Sequence, residues 1–228
     1  MKTKKFILEL VCVVFVLFSF NSCKDAVTPV MHDLDFSTMP SDDSVGDVGI
    51  LHIEWVKLLM KDIKLNVTST STETNFKVGP FYVFLDMANV NNVTLMTTAQ
   101  VPPGSYDRVK FEVHKLQDGE PIPDPDFADS NGKYSVVVQG RYAGTPFLYK
   151  STKSAHQILS FPSSLYLDVG GKTNITLVMK PYIWFIKNGL YLDPNDPVNS
   201  SDIDNNIKDN INHNFKIFKD NDRNGLPD

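Results

Sequence analysis

The stretch YSVVVQGRYAGTPFLYKS, residues 134–151, predicts two β-strands joined by a tight turn. Residues 134–142 and 146–151 are rich in β-branched and aromatic side chains, and Ala143-Gly144-Thr145 between them supplies the glycine that a short hairpin turn favours. Because a short turn can only join antiparallel neighbours, we expect an antiparallel sheet in this part of the chain.

The pattern continues on both sides of this hairpin. In residues 108–114, Val109, Phe111 and Val113 alternate with polar side chains, which predicts a strand with one buried face and one wet face. Residues 116–132 contain several prolines and glycines and predict a surface loop. Further strands are expected at 48–60, 62–68, 77–85, 93–100, 156–161, 164–169 and 172–180. So many short strands without intervening helices predict an all-β fold, an antiparallel β-sandwich over residues 47–181.

Residues 182–228 change character and are expected to add an aromatic segment, a helix and an acidic loop. Ser201 is suited to cap a helix start. The apolar residues after it recur at spacings of four, four, four and three, which predicts an amphipathic helix with one apolar face. They are Ile203, Ile207, Ile211, Phe215 and Phe218. Packing of this helix on the sandwich edge is the simpler interpretation, and a partner-binding helix is the alternative.

The N-terminus has the organisation of a secretory signal. Lysines at positions 2, 4 and 5 precede an apolar run over residues 10–18, which is short for a membrane-spanning helix. Residues 20–23, Phe-Asn-Ser-Cys, resemble a lipobox, in which the cysteine is acylated and the preceding bond is cleaved. We therefore expect residues 1–22 to be removed, Cys23 to carry the lipid that anchors the protein to a membrane, and residues 23–46 to form a flexible tether. An ordinary secretory signal and an uncleaved anchor are the alternatives.

Composition restricts the partners. Removal of residues 1–22 takes away three lysines and one glutamate, so that 19 basic and 26 acidic side chains remain, a net charge of −7. Such a surface has no basic run to neutralise phosphates, and nucleic acid is not expected as a partner. The cysteines are Cys12 and Cys23, so the mature chain cannot form an internal disulfide.

The sharpest local motif lies at residues 220–228, DNDRNGLPD. Side-chain oxygens at positions one, three, five and nine, with glycine at six, match the alternation with which a tight loop surrounds calcium, and the candidate ligands are Asp220, Asp222, Asn224 and Asp228. The segment resembles the calcium loops of EF-hand, dockerin and thrombospondin type three repeats, and residues 215–218 before it look like an entering helix. The glutamate of position twelve is missing, so the remaining calcium ligands would have to come from the terminal carboxylate, from nearby aspartates or from a partner. The alternative is an acidic tail without an ion.

Two other groups of side chains are candidate sites. Tyr182, Trp184 and Phe185 are candidates for a platform on which sugar rings stack, with an aromatic plug between sandwich and helix as the alternative. The acidic residues of the proline-rich loop, Asp124, Asp126 and Asp129, could hold a cation, with solvated surface aspartates as the alternative. The five histidines show neither triad nor zinc-ligand spacing, so no catalytic residues are assigned.

Residues 101–111, VPPGSYDRVKF, carry a family resemblance. They look like the leucine-proline-alanine-glycine-threonine-tyrosine segment of a bacterial lipoprotein family catalogued as domain of unknown function 4382, and residues 46–180 are similar to that family. The resemblance implies a prealbumin-like or immunoglobulin-like sandwich on a bacterial envelope lipoprotein and brings no catalytic residues with it. Its departures are Val101 and Pro103.

These observations favour a noncatalytic envelope lipoprotein, on the outer membrane, that binds a glycan, a protein or a surface polymer. A structural spacer or an assembly subunit of an envelope complex is the alternative, and an accessory hydrolase is the third. Two carboxylates converging in a deep pocket would favour the hydrolase. A spacer should have no concave or aromatic-lined surface.

Overall fold

The computed structural model describes residues 29–42, 49–209, 211 and 215–228. Residues 31–228 form one unit, and strands dominate it, as the sequence predicts. The strands are β1 (His32–Pro40), β2 (Leu51–Val67), β3 (Glu73–Asp86), β4 (Thr94–Val101), β5 (Gly104–Val113), β6 (Ala128–Asp129), β7 (Gly132–Lys133), β8 (Val136–Tyr142), β9 (Thr145–Ser151), β10 (Ala155–Leu167), β11 (Lys172–Met179), β12 (Ile186–Lys187), β13 (Leu190–Tyr191) and β14 (Lys216–Lys219). In the part of the chain that the structure describes, one α-helix, α1, spans Ser200–Asp209, and short 3-10 helices occupy Met87–Asn89, Pro125–Phe127, Pro181–Phe185 and Pro197–Asn199.

Two sheets build the sandwich. The smaller has the order β14-β11-β1-β4, and the larger has the order β10-β5-β2-β8-β9 with β3 along the other edge of β2. Strand β2 is long enough to pair with β8 through its first half and with β5 through its second half. The change of partner falls at Leu59, whose main-chain N–H donates to Ser135 and whose carbonyl accepts from His114. Among the described residues, all strand pairs are antiparallel except β1 with β11, so the predicted antiparallel sandwich is confirmed with one parallel pair added.

The predicted hairpin is confirmed. Strands β8 and β9 pair from Val136 with Ser151 to Tyr142 with Thr145, and the turn consists of Ala143 and Gly144. Both turn residues have positive φ, 48° and 79°, the conformation that matches the right-handed twist of paired strands.

The predicted tether over residues 23–46 is wrong for residues 32–40, because these form β1 in the middle of the smaller sheet. Leu34 and Phe36 are fully buried in the core. The buried polar side chains of β1 are satisfied within the sheet: the Ser37 hydroxyl donates to Asn174 (2.7 Å), and a ring nitrogen of His32 lies 2.9 Å from the Thr173 hydroxyl. Because many of the buried side chains of β1 are polar and hydrogen-bonded, its composition resembles that of a solvated linker, and this is why the sequence predicts a tether there.

The C-terminal segment is part of the same body. The helix prediction is confirmed for Ser200–Asp209, where Ile203 and Ile207 are buried. The entering helix expected at residues 215–218 is wrong, since Lys216–Lys219 form β14 at the edge of the smaller sheet, paired with β11. Phe215 and Phe218 are buried as expected of the apolar stripe, but not as members of a helix.

The main core lies between the two sheets, and a second, smaller apolar cluster lies on the outer face of the larger sheet. That cluster consists of Leu59, Leu116, Phe127, Tyr134 and Val137, with Trp55 against it. It is covered by the proline-rich loop over residues 114–135. Among the described residues, no helix has the length and apolar character needed to cross a membrane.

Candidate functional site

The C-terminal loop begins where β14 ends. The main-chain N–H of Asp220 donates to the Asn174 carbonyl (2.9 Å), and the N–H of Asp228 donates to the Lys219 carbonyl (3.0 Å). The chain therefore returns to its starting point, and residues nine positions apart become neighbours. This closure brings the first and last predicted ligands to the same place.

Three of the four predicted ligands converge. Asp220, Asp222 and Asp228 each offer one carboxylate oxygen, and these oxygens all lie within 4.8 Å of one another. Asp220 is buried, whereas Asp222 and Asp228 are exposed. Asn224, the fourth predicted ligand, stabilises the loop itself: its amide nitrogen donates to Asp222 (2.8 Å), and its side-chain oxygen accepts from the N–H of Leu226 (2.7 Å).

The buried carboxylate of Asp220 organises the loop. One of its oxygens accepts from the N–H of Asn224 (3.0 Å), and the other accepts from the Thr176 hydroxyl (2.7 Å) and the N–H of Gly225 (3.2 Å). Gly225 has a φ of +81°, and a Cβ atom there would lie 2.5 Å from the Met39 sulfur. The positive φ of the turn is what favours glycine at position six, and its close packing against the Met39 side chain of β1 adds to that preference.

A second anchor of the loop was not predicted. Arg223 donates to the buried carboxylate of Asp35 on β1, which also accepts from the Thr98 hydroxyl (2.6 Å) and lies 3.2 Å from the Lys172 ammonium. Burial alone would raise the pKa of Asp35, but the hydrogen bonds from Thr98 and Lys172 and the two positive charges hold it below its ordinary value. Asp35 and Arg223 are 188 residues apart, and nothing in the local sequence links them.

The arrangement suits a hard divalent cation. Calcium binds six to eight oxygens, mostly from carboxylates and main-chain carbonyls, and three converging carboxylates supply the charged part of such a set. Within the described residues, the Lys219 ammonium, 3.7 Å from Asp228, is the only cationic side chain that forms an ion pair with these three carboxylates. A cation between them would offset their mutual repulsion.

The aromatic platform expected at Tyr182, Trp184 and Phe185 is wrong, because all three side chains are buried. The plug interpretation holds: the Trp184 ring lies 6.1 Å from that of Phe215, centroid to centroid. The helix closes over the segment, since the Asn206 amide donates to the Trp184 carbonyl (3.0 Å). A segment that fills the core in this way has no ring face left for a sugar.

The acidic residues of the proline-rich loop are bound to lysines. The Lys57 ammonium donates to Asp124 (2.8 Å) and Asp126 (2.7 Å), and the Lys150 ammonium donates to Asp129 (2.7 Å). The pKa of Asp129 is lowered to about 2, chiefly by the hydrogen bond from Lys150. Asp124 and Asp126 thus meet at one lysine and Asp129 binds another, so the three carboxylates hold the loop over the second apolar cluster without forming a common cation site.

Comparison with known proteins identifies no family. No family model matches the chain, and no curated protein is similar to it in sequence. Among solved structures, MbnP from Methylosinus trichosporium is similar, with 12% sequence identity, a TM-score of 0.46 and coverage of 73% of this chain and 81% of that one. Cys23, the predicted lipidation site, lies outside the described residues. The function therefore has to be argued from the chain's own residues.

Proposed function

We propose that the chain is a noncatalytic, lipid-anchored module of the bacterial cell envelope, on the outer membrane, that binds a surface ligand and holds a calcium ion in its C-terminal loop. The observation that carries the proposal is the convergence of the Asp220, Asp222 and Asp228 carboxylates within 4.8 Å. The oxygens come from positions one, three and nine of one tight loop, the alternation that calcium loops use.

The anchor is supported by the sequence at the N-terminus and by the start of the fold. Nine residue steps separate Cys23 from His32, where β1 begins. A fully extended chain covers about 30 Å in that many steps, so a lipid on Cys23 would keep the sandwich next to the membrane surface. Lipidated lipoproteins carry two or more acyl chains, which is what stable anchoring requires.

Two observations favour a binding module over the alternatives. A spacer should have no concave surface with aromatic residues, whereas a groove lined in part by Tyr82 and Phe84 opens at one edge of the sandwich. A hydrolase should place two carboxylates in a deep pocket, whereas Asp222 and Asp228 are exposed on a C-terminal loop. The loop is better suited to hold a cation than to act on a substrate.

Thermal unfolding of the mature protein in calcium and in EDTA tests the calcium site. At a free calcium concentration of 100 times Kd, binding to the folded state stabilises it by about 2.7 kcal/mol, which for a chain of this size raises the midpoint by roughly 5–10 °C. Asp222→Asn keeps the shape of an exposed ligand but removes its charge, and we expect it to abolish most of the shift.

Asp209→Asn is the matched control, because Asp209 is an exposed aspartate at the end of α1 and outside the loop. It should respond to calcium as the wild type does. Equal midpoints of the wild-type protein in calcium and in EDTA would contradict the calcium site, and so would a shift that Asp222→Asn leaves intact.

A further inference from the structure

A groove of about 550 Å³ lies where the edges of the two sheets face each other. One wall is the last part of β3 and the other is the first part of β4, and the segment between these strands closes one end. Within the described part of the chain, β3 pairs only with β2 and β4 only with β1, so both walls present an unpaired strand edge. A groove of this volume falls in the range of small-molecule sites.

Two aromatic rings stand at this groove. Tyr82 and Phe84 alternate on β3, are 39% and 47% exposed, and point to the same face of the sheet. Each ring has an aromatic neighbour on the outer face of the larger sheet: the Phe84 ring lies 6.3 Å from Trp55, and the Tyr82 ring, with the Lys57 ammonium 5.9 Å from its centroid, lies 6.2 Å from Phe127. Because their neighbours hold them, the two rings offer flat apolar surface at little cost in conformational entropy.

Polar side chains complete the lining. Asp86, Asn89, Asn92, Thr38 and Thr94 bring carboxylate, amide and hydroxyl groups to the groove. The Asp86 carboxylate is fixed, since it accepts from the N–H of Ala88 (3.0 Å) and from the Asn89 amide (2.6 Å). Asp86 is the only charged residue among the lining residues, and no lysine or arginine is among them. The carboxylate disfavours an anionic ligand, and the amide and hydroxyl groups suit a ligand that carries many hydroxyl groups.

We propose that this groove binds a neutral glycan, whose sugar faces stack on Tyr82 and Phe84 and whose hydroxyls hydrogen-bond with the Asp86 and Asn92 side chains. The proposal rests on the proposed function, because it names the ligand class of the envelope-binding module. The competing occupant is an extended peptide added to the open edge of β3. Such a peptide would be held mainly by main-chain hydrogen bonds and would depend less on the two rings.

The test begins with the mature protein on a printed array of neutral gluco-, manno-, galacto- and xylo-oligosaccharides of four to six units. The strongest binder is then titrated by calorimetry against the wild type and four variants. We expect Phe84→Ala and Tyr82→Ala each to raise Kd at least tenfold, and Phe84→Trp to retain binding. Tyr166→Ala is the control, since Tyr166 is 71% exposed on β10 and outside the groove, and it should leave Kd unchanged.

The proposal is overturned if no oligosaccharide on the array binds, or if binding survives both alanine variants while their circular dichroism is native. A random decapeptide library that yields binders insensitive to Phe84→Ala would assign the groove to peptides instead. The calcium response is measured on the same preparations. An intact calcium shift with no glycan binding overturns the groove proposal alone, whereas loss of the calcium shift in the wild type counts against the proposed calcium site.

Discussion

Phe185→Ala tests whether the C-terminal segment belongs to the sandwich core. The Phe185 ring is fully buried, with its centroid 5.8 Å from Phe147 and 5.9 Å from Tyr149, the latter edge to face. Truncation of a buried phenylalanine costs about 3–5 kcal/mol, because transfer free energy is lost and a cavity is left. Two aromatic contacts, each contributing about 0.5–1.5 kcal/mol beyond burial, place the expected loss in the upper part of that range.

Urea unfolding of the two proteins measures this loss. In a Trp55→Phe background, Trp184 is the remaining tryptophan, so fluorescence reports on the aromatic segment and circular dichroism reports on the sheets. If both belong to one core, the two probes should give coincident transitions. Leu190→Ala, at an exposed position of β13, is the control and should change stability by less than about 0.5 kcal/mol. A loss below about 1 kcal/mol for Phe185→Ala, or a fluorescence transition that precedes the dichroism transition, would refute the common core.

Two further predictions concern the larger sheet and its loop. Gly140→Ala should cost about 3 kcal/mol or more, because the new Cβ would collide with the main-chain carbonyl of His52, and a urea midpoint close to that of the wild type would contradict it. The pKa of Glu120 is lowered to about 2, first by the N–H of Gln117 and, against the effect of burial, by His114 and a lysine. Its ionised form therefore stabilises the fold above its ordinary pKa of 4.5, and this contribution is lost as the pH falls from about 4.5 to about 2. The urea midpoint of Glu120→Gln should fall less steeply over that interval than that of the wild type, and parallel curves would exclude the effect.

The β8–β9 hairpin was predictable because everything that specifies it is local. Residues 134–151 contain both strands and the glycine of the turn, so no information from distant parts of the chain is needed. The calcium-like loop was predictable for the same reason: the alternation of Asp220 and Asp222 and the position of Gly225 are properties of nine consecutive residues.

The errors arise where distant parts of the chain determine the structure. Residues 32–40 look like a linker because their polar side chains find partners only after β11 and β4 pair with them. Residues 216–219 follow helical spacing by coincidence, and they form a strand because β11 presents an edge to them. The pair of Asp35 with Arg223 joins the two ends of the folded unit. Local pattern carries no signal for contacts of this kind.

The candidate site likewise combines features that the local sequence predicts with features that it does not. Spacing predicted three of the carboxylates that the structure brings together, but the clustering of aromatic residues at 182–185 favoured side chains that are buried. Tyr182 to Phe185 form a cluster in sequence and are buried, whereas Tyr82 and Phe84 are separated by a buried valine and reach the surface. An alternating pattern on a strand was the available signal for exposed rings, because it assigns one face to solvent.

The proposed lipid anchor is the feature on which the proposed envelope location depends most directly. Intact-mass spectrometry of the protein extracted from membranes of a producing bacterium measures it in one step. We expect a chain that begins at Cys23, with residues 1–22 removed and the mass of acyl chains added to that residue. A species that retains Met1, or a mature chain whose Cys23 carries a free thiol, would contradict the lipid-anchored module.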